Sequence, residues 1–240
     1  MNKRSLVAIL LILIVGLSAC KNNAVQSSGL ESMEMHTQVL RNGVGFYLHS
    51  PIYDWRQCTF QRSELQREYT KLSEYLDSIS SEDYTFIVTQ FTIIPVYSSH
   101  TPAIVLQLNL TGDRLVLYYS NGLVYGYLTP FRGMQAMKTD GTFMTSGGAA
   151  HGTISKLSFL PEYGFIENII MSEWTEIRDG SGNWEPIFMI RGEEVSNEVM
   201  SAFWNAHHQK SDVQWYPFFA DTIAEDFAVA WENYFEGSLP

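Results

Sequence analysis

The residues best placed to do chemistry are His151 and the small-residue loop that carries it, Gly147-Gly148-Ala149-Ala150-His151-Gly152. Glycines let a backbone approach a ligand closely, and an imidazole titrating near neutral pH can act as a general base. Asp140 or Asp113 would then serve as the orienting acid, and the reaction would be a hydrolysis. The same glycines equally make a wide turn between strands, and no acid stands at a fixed offset from His151 to hold its ring.

The other candidates have plainer readings beside the chemical one. Cys58 lies in Trp55-Arg56-Gln57-Cys58-Thr59-Phe60, where Arg56 would favour a thiolate, yet a lone cysteine also serves as a small apolar residue. His207 and His208 are adjacent, so on a helix they point about 100° apart and cannot share one metal ion as an i,i+4 pair would. In the last turn of a helix they instead complement its dipole as imidazolium. Asn109-Leu110-Thr111-Gly112-Asp113 has the start of a calcium loop, but the sixth place holds Arg114 rather than glycine, and the twelfth holds Ser120 rather than an acid. A tight turn is expected there, and neither a metal nor a cofactor. Trp215-Tyr216-Pro217-Phe218-Phe219 is either an aromatic platform for a sugar or peptide, with Trp215 and Tyr216 as the ligand contacts, or core packing between two helices. Trp174 and Trp184 pose the same question more weakly. The chain has no G-x-S-x-G, P-loop, H-E-x-x-H, C-x-x-C or G-x-G-x-x-G motif, which lowers the expectation of an enzyme.

The elements that must position these groups follow from periodicity. Leu65, Tyr69, Leu72, Leu76 and Ile79 recur at spacings of four and three and predict one helix over 63–79. From Tyr84 the period switches to two. Strands are expected at Tyr84–Ile94, which Pro95 ends, then over 104–110, and at Leu115–Ser120 and Leu123–Leu128. Asn121-Gly122 between the last two is a hairpin signal that pairs Tyr118 with Tyr125. Asp140-Gly141 predicts a second hairpin between Gln135–Thr139 and Thr142–Thr145. Further strands are expected at Ile154–Leu160, Phe165–Ile177 and Trp184–Ile190. Two helices close the chain. Ser196 caps the first, whose inner face is Val199, Met200, Phe203 and Trp204; Thr222 opens the second, with Ile223, Phe227, Trp231 and Tyr234 on one side. The class is α+β: an antiparallel meander sheet of about seven or eight strands, with one N-terminal and two C-terminal helices packed on one face.

Location is more legible than activity. Lys3 and Arg4 precede an apolar run from Leu6 to Val15, and Gly16-Leu17-Ser18-Ala19 leads to Cys20. That is the layout of a secretory signal. A helix over 6–19 would rise about 21 Å, short of the roughly 30 Å hydrocarbon core of a bilayer. Leu17-Ser18-Ala19-Cys20 resembles the lipobox of bacterial lipoproteins. The resemblance implies cleavage of residues 1–19, a diacylglycerol thioether on Cys20, and a membrane attachment on the extracytoplasmic face. Residues 20–35 are polar and read as a flexible tether, leaving 36–240 as one folded domain. Lys21 follows the cysteine where an Asp would favour inner-membrane retention, so the outer leaflet of a Gram-positive membrane and a Gram-negative outer membrane stay open.

Charge narrows the partners. Loss of Lys3 and Arg4 with the signal leaves 13 cations against 26 acids, a net charge of about −13. Such a body is repelled by phosphates, so no nucleic acid is expected. It has no basic cluster to adhere to anionic lipid, and membrane contact would run through the lipid on Cys20 alone. With Cys20 acylated, Cys58 has no intramolecular disulfide partner.

The tract Arg132-Gly133-Met134, Asp140-Gly141-Thr142-Phe143 and Ser146-Gly147-Gly148-Ala149, with Gly192-Glu193-Glu194-Val195-Ser196 and Val213-Gln214-Trp215-Tyr216, resembles a loose group of uncharacterised clostridial-type surface lipoproteins. An acidic turn between two of that group's strands is reduced here to Asp113. The resemblance covers about half of the chain and implies location and fold, not an activity. The functional expectation is a lipid-anchored envelope protein that binds or senses a protein or glycan without catalysis; the alternative is an envelope hydrolase using His151.

Overall fold

The computed structural model describes residues 29–54, 59–109, 113–129, 132–148, 151–162, 164–178 and 181–237. Cys20 and Cys58 lie outside them. The architecture is α+β, with strands β1 (Phe46–Asp54), β2 (Thr59–Thr70), β3 (Val88–Ile94), β4 (Ala103–Leu108), β5 (Arg114–Ser120) and β6 (Leu123–Thr129) in a first sheet. β7 (Thr142–Gly148), β8 (His151–Leu160), β9 (Phe165–Arg178), β10 (Trp184–Ile190) and β11 (Glu193–Glu194) make a second. The short β12 (Tyr216–Pro217) returns to the first, whose order is β12-β3-β4-β5-β6-β1-β2; the second runs β11-β10-β9-β8-β7. The helices are α1 (residues 29–40), α2 (Leu72–Ile79), α3 (Asn197–His208) and α4 (Ile223–Gly237).

The expected single meander is thus two antiparallel meanders, and the first also carries the β1–β2 hairpin through a parallel β1–β6 pairing. Burial on both faces of β4 and β5 is the reason. Ile104, Leu106, Leu108, Leu115 and Leu117 point to one apolar cluster, and Ala103, Val105, Val116 and Tyr118 to another. A sheet apolar on both sides needs a layer over each. Leu72 and Tyr75 of α2, Val39 and Leu40 of α1, and Ile223, Phe227, Ala230 and Trp231 of α4 cover the first face. Phe143, Leu157 and Ile166 of the second sheet cover the other, with Met134 and Met137 filling the seam. The remaining helix, α3, packs on β10 and reaches β7 through His207 and Thr142. Helices therefore lie on both outer sides, not on one face as expected.

Local chemistry explains the boundaries. Asn121 (φ 58° is seen at Asn42, 52° here) and Gly122 (φ 80°) form the left-handed turn that the right-handed strand twist favours. Tyr118 pairs with Tyr125 as the turn predicts. The helix expected over 63–79 is instead β2 followed by the shorter α2. Tyr69, counted on the helix stripe, is a strand residue: it pairs with Tyr47, their rings 5.1 Å apart, and its hydroxyl accepts the Gly45 N–H at 2.8 Å. The helix starts only where its free amides find partners. The Lys71 N–H donates to Glu74 and the Ser73 N–H to Asn42. The expected tether also ends sooner, because α1 already runs from residue 29, with Ser32 and His36 buried and Met33 and Met35 packed on the core.

Candidate functional site

His151 enters the second sheet at the start of β8, and its Nε2 stands 2.9 Å from Glu173 Oε1 on β9. Both side chains are about one-third exposed (36% and 31%). The acid beside the imidazole is Glu173, where Asp140 or Asp113 was expected. A bulge brings it there. Near the turn Leu160 pairs with Phe165, but between Ile154 and Ser155 the register shifts, so His151 meets Thr175 and Glu173 falls on the same face. The other ring nitrogen, Nδ1, lies 2.9 Å from where a Cβ on Gly147 would stand, so it packs against the glycine loop. With one nitrogen on a carboxylate and the other against backbone, the imidazole is well anchored, with about a third of it open to solvent.

Asp140 belongs to a different cluster, built where α3 ends on β7. Asp140 Oδ1 accepts the Thr142 N–H at 3.0 Å and the Thr142 hydroxyl as well, and Oδ2 takes Lys210 Nζ at 2.8 Å. Burial opposes its ionisation, but the bonds from Lys210 and Thr142 outweigh it and hold the carboxyl down at about 2. Gly141 is required for this turn, because its φ is +78° and a Cβ there would meet the Pro95 carbonyl at 2.6 Å.

The Thr142 hydroxyl has one proton, which goes to Asp140, so it accepts from His207 Nδ1, 3.1 Å away. His207 is 1% exposed, and burial, then Lys210 and Lys138, lower its pKa to about 4. It is therefore neutral at pH 7, which corrects the expected imidazolium on the helix dipole. A lysine performs that task. Lys138, 4% exposed, donates to the His208 carbonyl at 3.3 Å, to the Lys210 carbonyl at 3.1 Å and to Asp212 at 2.6 Å. A cation thus caps the negative end of α3, reached from another part of the chain.

Asp140 also lines a cleft of about 350 Å³ between β3, α4 and the segment leading into β12. It is lined by the polar or aromatic Thr92, Thr139, Gln214, Tyr216, Asn233 and Tyr234 and by the apolar Ile93, Val213 and Ala230. Tyr216 is fixed by stacking on Phe91, ring centroids 5.4 Å apart and planes 22° apart. Burial raises the Tyr234 phenol to about 12, so it stays a neutral hydroxyl. Thr92, buried, spends its hydroxyl on the Gln214 carbonyl at 2.7 Å and so sets the wall in place. Trp215 is half-buried against the inter-sheet core, with the Arg114 guanidinium 5.9 Å above its ring.

The five residues singled out in the sequence fall apart in space. Asp140 and Tyr216 line the cleft together; His151 does not line it; Trp215 packs inward. Asp113 acts electrostatically on Tyr75, Tyr84 and Arg114. Asn109, the first residue of the calcium-like loop, uses its side chain within the fold, accepting from Ile87 N and donating to the Thr85 carbonyl. Among the described residues no group of three or more His, Cys, Asp or Glu side chains gathers to hold a metal ion. Asn233 and Tyr234 were missed as cleft residues because they read only as faces of an amphipathic helix.

Comparison with protein-family models, with curated proteins and with solved structures finds no match to this chain.

Proposed function

We propose that the protein is a lipid-anchored, extracytoplasmic binding or sensing module, tethered at the cell envelope through Cys20 and acting without catalysis. The signal layout and the lipobox-like Leu17-Ser18-Ala19-Cys20 support the location. Among the described residues no helix is long and apolar enough to cross a membrane; attachment in this reading is by the acyl chains. The observation that carries the binding role is the separation of cleft from base. The cleft offers aromatic, amide and hydroxyl groups, whereas the imidazole–carboxylate pair His151–Glu173 lies outside its lining. Asp140, which does line it, is held as an ionised acceptor and is a poor proton shuttle at neutral pH.

The test is fractionation of cells that express Cys20→Ser beside the wild type. The reading expects the wild type in the membrane and the variant released to the medium or periplasm; a variant retained as fully as the wild type contradicts it. The alternative, an envelope hydrolase, draws on the 2.9 Å contact between His151 and Glu173. It requires His151→Ala to abolish a hydrolytic activity at an unchanged melting temperature, where the binding reading expects full function.

A further inference from the structure

We infer that the cleft between β3, α4 and the β12 segment takes a neutral saccharide of one or two rings. This rests on the reading of that cleft as the binding site and names its ligand class. Size is the first argument: about 350 Å³ is at the small end of the range of about 300–1,000 Å³ for small-molecule sites.

Charge is the second. The single carboxylate of the lining, Asp140, is already balanced by Lys210 at 2.8 Å, with Lys156 at 4.0 Å. A phosphate or free carboxylate would need an uncompensated cation, and none lines the cleft; an ammonium would have to compete with Lys210 for Asp140. A neutral ligand meets neither obstacle.

Third is the kind of polar group. Gln214 and Asn233 are exposed amides, each with donors and an acceptor, and Thr139 and Asp140 add a hydroxyl and a carboxylate. Adjacent sugar hydroxyls, each both donor and acceptor, match such a set. Tyr216 completes it. One face of its ring is committed to Phe91, which holds the ring in place, and with Tyr234 it supplies the cleft with aromatic surface on which the C–H face of a pyranose can pack. Little ordering of Tyr216 itself is then left for binding to supply.

The experiment is a titration of the full chain in detergent, followed by calorimetry and by amide NMR, with chitobiose, maltose, trialanine and inorganic phosphate as probes. The expected result is saturable binding of at least one of the two oligosaccharides, with shifts centred on Gln214 and Asn233. Asn233→Ala and Gln214→Ala, both exposed positions, should each weaken that binding about fivefold, the value of one hydrogen bond. If trialanine or phosphate binds at those residues and neither sugar does, the ligand class is wrong while the cleft reading stands. If a sugar binds with equal affinity to both variants and shifts residues elsewhere, the cleft reading fails. If neither sugar binds up to 10 mM, roughly the weak limit for a specific site, the saccharide assignment is overturned.

Discussion

Replacing Lys138 by Met probes the buried cluster under α3 more sharply than any other single change. The ammonium is 4% exposed and has three acceptors: the His208 and Lys210 carbonyls and the Asp212 carboxylate. Methionine keeps the stem and removes the charge. Two carbonyls at the end of α3 then lose their donor, at about 1 kcal/mol each or somewhat more. Removing one partner of a fully buried pair costs about 3–5 kcal/mol, but that figure is an upper bound here. Asp212 is 76% exposed and regains water, so it adds little. The expected loss is about 2–3 kcal/mol, or a fall in Tm of about 4–12 °C for a chain of this size. Urea denaturation at pH 7 measures it.

A pH series then separates a cap from mere packing. Lys138 is one of the charges that depress His207, so the variant histidine should titrate higher than the wild-type value of about 4. A lowered folded pKa contributes stability that is whole above 6.5 and lost as pH falls toward 4. The variant has less of this to lose, so the stability difference should shrink between pH 7 and pH 4.5. Asp212 does not confuse that window, since its contribution fades only below its ordinary value of 3.8. A loss below about 0.5 kcal/mol, or one constant across the window, would refute the capping role.

Wild-type stability itself should fall from pH 6.5 to pH 4, because His36 and His207 are both held near 4 by burial. Two and a half pH units give at most about 3 kcal/mol for each, and His36→Leu should flatten the denaturation profile by its share. Gly122→Ala and Gly126→Ala should differ in size. Gly122 has open space around it and only its φ of +80° to object, so about 1 kcal/mol is expected; a Cβ on Gly126 would meet the Phe46 ring at 2.5 Å, so several times that is expected. Thermal unfolding compares them, and equal effects would contradict the packing described. His151→Ala should leave sugar binding in the cleft unchanged by calorimetry.

What the sequence made legible was local. The Asn121-Gly122 turn set the register of β5 and β6, Ser196 caps α3 through the Val199 N–H, and Phe227 and Trp231 face the core as their spacing required. The failures are non-local. The helical spacing from Leu65 to Ile79 crosses a true boundary at Lys71, and only pairing with β1 makes its first half a strand. Glu173 reaches His151 through one extra residue near Ile154, and without that bulge it would face the other way. Lys138 gives no local sign that it is buried, because its acceptors lie some seventy residues downstream. The cleft combines a turn, a strand and the C-terminal half of a helix, which no single window contains.

The claim on which the rest depends is that the folded body is held at the envelope by acyl chains on Cys20. Mass spectrometry of the N-terminal peptide, from protein extracted from membranes with detergent, tests it directly. The account predicts a first residue of Cys20 carrying the mass of a diacylglyceryl group. An N-terminus upstream of Cys20, with no added acyl mass, would contradict it.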